Sequence, residues 1–203
     1  MKERPILFSA PMVRAILDGT KTQTRRVAHV TDEGCRPGFI TPTAGFTPRR
    51  IESHYTYCPY GQPGDRLWVR ETHAIVPRTA YANSVGVNQV LRPDDNHDAA
   101  VFREGWERSK PGRWRPSIHM PRWASRITLE IVRVRVERLH DISEQDAWAE
   151  GCLGWDDDVT GGSSGYAEFW NLWESINGEG SWNKNPWVWV VEFKKVEVVD
   201  VNL

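Results

Sequence analysis

The octapeptide Gly19-Thr20-Lys21-Thr22-Gln23-Thr24-Arg25-Arg26 packs two guanidiniums, one amine and three hydroxyls into a single short segment. So much charge is poor core material, because a buried Arg or Lys needs a partner. Yet the segment follows an amphipathic helix signal at 11–18 and a turn glycine, and it runs on as a β-prone stretch at 22–27. In a strand, alternation sends Lys21 and Gln23 to one face and Thr22, Thr24 and Arg26 to the other. A helix–turn–strand unit that delivers Lys and Arg into a cleft suits an anionic or nucleotide-like ligand.

The rest of the chain gives this unit few helices and several strands to pack against. Residues 6–8 read as a short buried strand, with Ser9 as N-cap and Pro11 in the first turn of the helix that follows. Met12, Ala15, Ile16 and Leu17 supply that helix with an apolar stripe. Residues 29–63 are rich in Gly, Pro, Thr and Ser and read as a long insertion around a short strand near 51–57. Residues 66–71 read as a strand after the Pro63-Gly64-Asp65 turn, and 100–103 as another. The polar stretch 77–98 and the proline-rich loop 111–124 make a second insertion, at about 77–124. Residues 127–137 alternate as a strand at Ile127, Leu129 and Ile131, then at Val132, Val134 and Val136 after a phase slip, which predicts a bulge. Ser143 caps a helix over 144–150 ended by Gly151. A second helix spans 166–176, and 187–193 is a buried strand.

Composition narrows the function classes. One domain over 1–203 is expected, and no apolar run approaches the ~20 residues needed to span a bilayer. Nothing at the N-terminus reads as a signal peptide, so a cytoplasmic protein with no membrane partner is expected. A net charge of −1 argues against bulk polycation binding to duplex nucleic acid, although ten Lys and Arg residues gather between 103 and 138. Cys35, Cys58 and Cys152 include no CxxC pair, so neither disulfides nor a metal site is expected. No cofactor is called for. Among the 11 tryptophans, Trp170, Trp173, Trp187 and Trp189 read as core. Trp123, in the basic segment, is a candidate for stacking on a base. The order of elements points to α+β: a small curled sheet or barrel of mostly antiparallel strands, with a few short helices and two long loop insertions.

Gly19-x-Lys21-x-x-Thr24-x-Arg26 resembles the GxKxxxxR signature of ASCH domains, a branch of the PUA-like β-barrel fold. Three further segments are similar to the family in the same order. They are the turn and strand at 63–69, the helix at 143–151 ending in Glu150-Gly151, and the closing strand at 187–193. Together they cover about half the chain, and the insertions resemble those of longer bacterial and prophage ASCH proteins. The resemblance implies a PUA-like barrel with a cleft that meets RNA or a nucleobase. Some small members are amidohydrolases that deacylate N4-acetylcytidine with a Lys, a Thr and a Glu, which match Lys21, Thr24 and Glu150 here. The partner it implies is a nucleoside or RNA, acted on by a monomer or weak homodimer without metal. A non-catalytic RNA-binding module and an ASCH-type ribonuclease remain open alternatives.

The residues carry the chemistry that such a reaction requires. Amide hydrolysis needs a nucleophile, a base and a proton donor for the leaving amine. Thr24 offers a hydroxyl. Lys21 is a base only if burial or the neighbouring Arg25 and Arg26 lower its pKa. Glu150 is the proton donor or holds the base ring. Arg26 is a candidate for an oxyanion or phosphate, or merely pairs with Glu71 or an Asp. Glu71 is a rival carboxylate. His73 and His119 are candidate ligand contacts, and His119, Arg122 and Trp123 form a loop suited to clamping a nucleotide. The plain alternatives are a solvated Lys21, a β-forming Thr24 and an ion-paired Glu150. In an ideal strand Lys21 and Thr24 point to opposite faces, so a shared site needs an irregular start to that strand.

Overall fold

The computed structural model describes residues 1–30, 39–40, 58–155 and 162–196. Ten strands and three α-helices make up the described part. They are β1 (Glu3–Leu7), α1 (Ala10–Leu17), β2 (Gln23–Val27), β3 (His29–Val30), β4 (Phe39–Ile40), β5 (Arg66–Arg70), β6 (His73–Pro77), β7 (Val90–Leu91), β8 (Asp98–Phe102), β9 (Thr128–Arg138), α2 (Glu144–Ala149), α3 (Gly165–Asn177) and β10 (Trp187–Val196). The expected strand near 51–57 lies outside the described residues.

The main sheet has the order β1-β5-β9-β10-β2. Only β1 and β5 run parallel; the other pairs are antiparallel. The α+β expectation is met. A closed barrel is not found among the described residues, where β1 and β2 remain the sheet's two edges. The Arg26 guanidinium of β2 nevertheless donates to the Leu7 carbonyl of β1 at 2.7 Å, so the curl brings the edges within a side chain's reach.

The long apolar run of β10 follows from its central position, since a strand covered on both faces has no side left for polar residues. Trp189, Val191 and Phe193 enter a core with Met12, Val13 and Ile16 of α1. Val188 and Val190 enter a second core with Ala147 of α2 and Phe169 and Trp173 of α3. The predicted bulge is present: Glu192 faces Arg133 while Phe193 faces Ile131. Val132 is thereby left over and 53% exposed, and alternation resumes at the buried Val134.

Some side chains depart from expectation. Leu17 is exposed and Val13 buried, because the inward face of α1 centres on Met12, Val13 and Ile16. Ser9 sits at the N-cap but its side chain makes no cap bond. Trp170 is exposed: Phe169 and Trp173, one turn apart, take the inward face of α3 and leave Trp170 to the outer one. Trp173 and Trp189 are buried as expected, and Trp187 packs partly against the core.

The polar stretch expected at 77–98 connects β6 to β8 and carries the short edge strand β7 of a small sheet, β6-β8-β7, with apolar clusters on both faces. Loop 111–124 folds into two 3-10 turns. Its Met120 and Trp123 cover one face of this second sheet, packing on Ala100 and Phe102.

Candidate functional site

The cation-rich strand meets its partners on α2. Ser143 and Asp146 form a capping box that fixes the start of that helix. Asp146 and Glu150 then stand one turn apart on one face. Lys21, Gln23 and Arg25 advance two residues at a time along the facing chain, a step close in length to one helical turn. The two periodicities interlock. Lys21 Nζ donates to Glu150 Oε2 at 2.7 Å and to the Glu150 carbonyl at 2.8 Å. Gln23 Nε2 donates to Asp146 Oδ1 at 3.0 Å. Arg25 lies 3.3 Å from Glu150 Oε1 and 3.4 Å from Asp146 Oδ1.

The network extends across the sheet. Arg25 and Arg135 both stand opposite Val190, so they lie in one row across β2, β10 and β9. Glu137 joins them, accepting from Arg25 Nη2 at 2.5 Å and from Arg135 Nε at 2.9 Å. Arg135 also pairs with Asp146 and Glu192. The side chains of Lys21 and Arg25 are 0% exposed, and that of Glu150 only 2%. Two desolvated cations thus depend on a carboxylate that takes one of them on each oxygen. Burial lowers the Lys21 pKa against the opposing pull of Glu150. Burial alone would raise Asp146, but hydrogen bonds from Ser143 and Gln23 and the charge of Arg25 hold it well below the usual carboxylate range.

Thr24 lies on the other side of the strand from Lys21, as alternation predicts, and the start of the strand limits the consequence. Lys21 precedes β2 and makes an isolated bridge to Glu150. Thr24 and Glu150 both line a cavity of about 40 Å³, closed by Met12 of α1 and Phe169 and Trp173 of α3. The Thr24 hydroxyl has no hydrogen-bond partner among the described residues. That volume holds about one water molecule, so a nucleobase enters only if α1 or α3 shifts. Lys21 is not a lining residue; it touches the cavity through Glu150.

The other candidates are dispersed. Arg26 lines the same cavity and lies 5.4 Å from the Phe8 ring, and its Nε is buried without a partner among the described residues. It does not pair with Glu71, which forms a two-pronged bond with Arg126 at 2.9 Å on each oxygen. Burial raises the Glu71 pKa although Arg126 opposes it. His119, Arg122 and Trp123 do not reach the cavity. His119 is exposed, Arg122 pairs with Glu3, and Trp123 sits beneath Arg92. His73 is fully buried, with its Nε2 unpartnered among the described residues. Among the described residues no cluster of His, Cys, Asp or Glu is placed to hold a metal ion. Cys35 lies outside them.

Comparison with known proteins supplies no identity. No family model, no curated protein and no solved structure matches the chain. The reading of the site therefore rests on its own geometry. Sequence reasoning missed Arg25, Arg135, Glu137 and Asp146. The signal available was spacing: carboxylates at 146 and 150 on a helix, facing Lys21, Gln23 and Arg25 on alternate strand positions.

Proposed function

We propose that this chain is an ASCH-like amidohydrolase with a curled PUA-like sheet, acting without metal on an N4-acylated cytidine or a closely related nucleobase amide. The observation that carries the reading is the buried contact of Lys21 Nζ with Glu150 Oε2 at 2.7 Å, across 129 residues of sequence, beside the unpartnered Thr24 hydroxyl. In the proposed reaction Thr24 Oγ attacks the acyl carbon while its proton passes to the Lys21–Glu150 pair. The C–N4 bond breaks as that proton is returned to the departing amine. Water then cleaves the Thr24 ester to give the free carboxylic acid and the original hydroxyl. A lysine whose pKa is lowered by burial serves this transfer, since it holds its proton less tightly than an exposed lysine. Arg26 is the candidate to stabilise the developing oxyanion. Turnover of N4-acetylcytidine, followed by the absorbance change on deacylation and lost in Lys21→Ala, tests the proposal. Absence of turnover overturns it.

A second reading, a non-catalytic RNA-binding module, is favoured by one specific surface. The Trp68 ring has two guanidiniums near it, Arg70 at 5.5 Å and Arg122 at 5.9 Å. Such a basic and aromatic face suits a single-stranded RNA segment. This reading predicts salt-dependent RNA binding that weakens in Arg122→Ala and is indifferent to Lys21→Ala.

A further inference from the structure

A second cavity, of about 500 Å³, opens on the opposite side of α1 and shares no lining residue with the first. Its walls are Arg14, Leu17 and Asp18 of α1, residues 85–88, Phe102, residues 104–108 and Arg126. The volume lies within the roughly 300–1,000 Å³ range of small-ligand sites. Two short segments, one before β7 and one after β8, build most of the wall, and Arg108 ties them together by donating to the Val85 carbonyl.

The charges are arranged unevenly. Arg14 Nε is held on Glu104 at 2.6 Å, and Arg126 on Glu71. Asp18 and Glu107 are exposed and have no ion pair among the described residues. Against these two carboxylates stands, among the described residues, one guanidinium without an ion pair, that of Arg108, which is spent on the Val85 carbonyl, so the free charge at the cavity is net negative and disfavours a phosphate group. The guanidinium of Arg126 has its carbon 4.1 Å from the Phe102 ring centroid, so one face is covered. Its Nε and Nη2 are committed in-plane to Glu71 and to the Glu104 carbonyl. What Arg126 has left for the cavity is its second face and Nη1. A guanidinium plane backed by an aromatic ring is a stacking platform for a planar base. Trp106, fixed by its indole N–H on the Ser109 carbonyl, supplies an aromatic wall. Unpaired carboxylates suit the hydroxyls of a sugar.

We propose that this cavity is a binding site for an uncharged nucleoside, with the base stacked on Arg126 and Trp106 and the sugar hydroxyls on Asp18 and Glu107. The site is separate from Lys21 and Glu150 and does not depend on any hydrolytic activity.

Isothermal titration of the full chain with cytidine, cytosine and cytidine 5′-monophosphate tests it. Cytidine binds saturably and more tightly than cytosine, and the monophosphate binds more weakly than cytidine. The doubly substituted Asp18→Asn, Glu107→Gln protein loses about tenfold in cytidine affinity, the loss expected when hydrogen bonds to charged acceptors are weakened. Both positions are exposed, so the fold tolerates the change. Trp106→Phe, which retains an aromatic wall, keeps most of the affinity. No cytidine binding up to the millimolar range overturns the proposal. So does tighter binding of the monophosphate, equal binding by the double variant, or cytidine binding that is lost in Lys21→Ala.

Discussion

Replacing Glu150 with Gln keeps the side chain's shape and removes the charge on which two buried cations depend. The consequence differs for the two. Arg25 retains Glu137 and Asp146. Lys21 keeps neutral partners, the backbone carbonyl of residue 150 at 2.8 Å and the Phe8 ring at 5.8 Å, but no charged one among the described residues. Removing one partner of a buried pair costs about 3–5 kcal/mol because the remaining charge is uncompensated. Lys21 has an escape, since it can fold neutral. Deprotonating a lysine of ordinary pKa at pH 7 sets a ceiling of about 4.6 kcal/mol. The ceiling is lower by whatever burial already takes from the Lys21 pKa in the native protein. It falls by about 1.4 kcal/mol for each unit of rising pH. The sign follows from proton counts. In Glu150→Gln the unfolded chain binds a proton at Lys21 that the folded chain lacks, so the variant's stability rises with pH relative to the native protein. Urea denaturation followed by circular dichroism at pH 7 and pH 9 measures both effects. The expected loss at pH 7 is about 3 kcal/mol, or roughly 6–12 °C in Tm for a chain of this size. It shrinks markedly at pH 9, and adding Lys21→Met removes that pH dependence. A loss below about 1 kcal/mol at pH 7, or one that does not change with pH, refutes the view that Glu150 compensates a buried Lys21 charge.

Three further outcomes follow from the same geometry. Asp146, with its carboxyl pKa held low, contributes stability that is present above the unfolded value near 4 and lost as pH falls below it. Native protein should therefore lose more stability than Asp146→Asn between pH 6 and pH 3, read as the shift in urea midpoint. Gly151→Ala should cost about 1–3 kcal/mol, because Gly151 has φ +88° and an added Cβ would come 2.9 Å from the Ala15 Cβ and 3.3 Å from that of Lys21; a neutral change in thermal unfolding contradicts this. Burial pushes the Cys58 thiol up to about 11 and that of Cys152 to about 12. Peptide-resolved alkylation at pH 8 should find both at least about a hundredfold slower in the folded than the unfolded chain, with equal rates as the opposing result.

Much of the fold was legible because it is written in local periodicity. The α1–Gly19–β2 unit, the capped α2 and the two-sided apolar run of β10 each leave a pattern within one segment. The phase slip in β9 predicted the bulge, although Val132, read with Val134 and Val136, is the residue left over outside. The small second sheet was legible only in β8, read as a strand at 100–103; β6 was not anticipated, and β7 is only two residues long. The site was legible in part. Lys21 and Glu150 were paired through a resemblance, not through any property of either residue alone. Arg25 and Asp146 went unnoticed because each looks like an ordinary surface charge until β2 and α2 are packed together. The cavity's size, about 40 Å³, depends on how Phe169 and Trp173 of α3 close over Thr24, and no single segment encodes that closure.

The central claim is that Lys21, Thr24 and Glu150 form one hydrolytic site, and the most direct measurement is deacylation of N4-acetylcytidine by purified protein in the presence of a metal chelator. The account predicts release of cytidine and acetate by the native chain, with turnover abolished in Lys21→Ala and Thr24→Val although both variants remain folded by circular dichroism. No turnover by the native chain, or undiminished turnover in either variant, would contradict it.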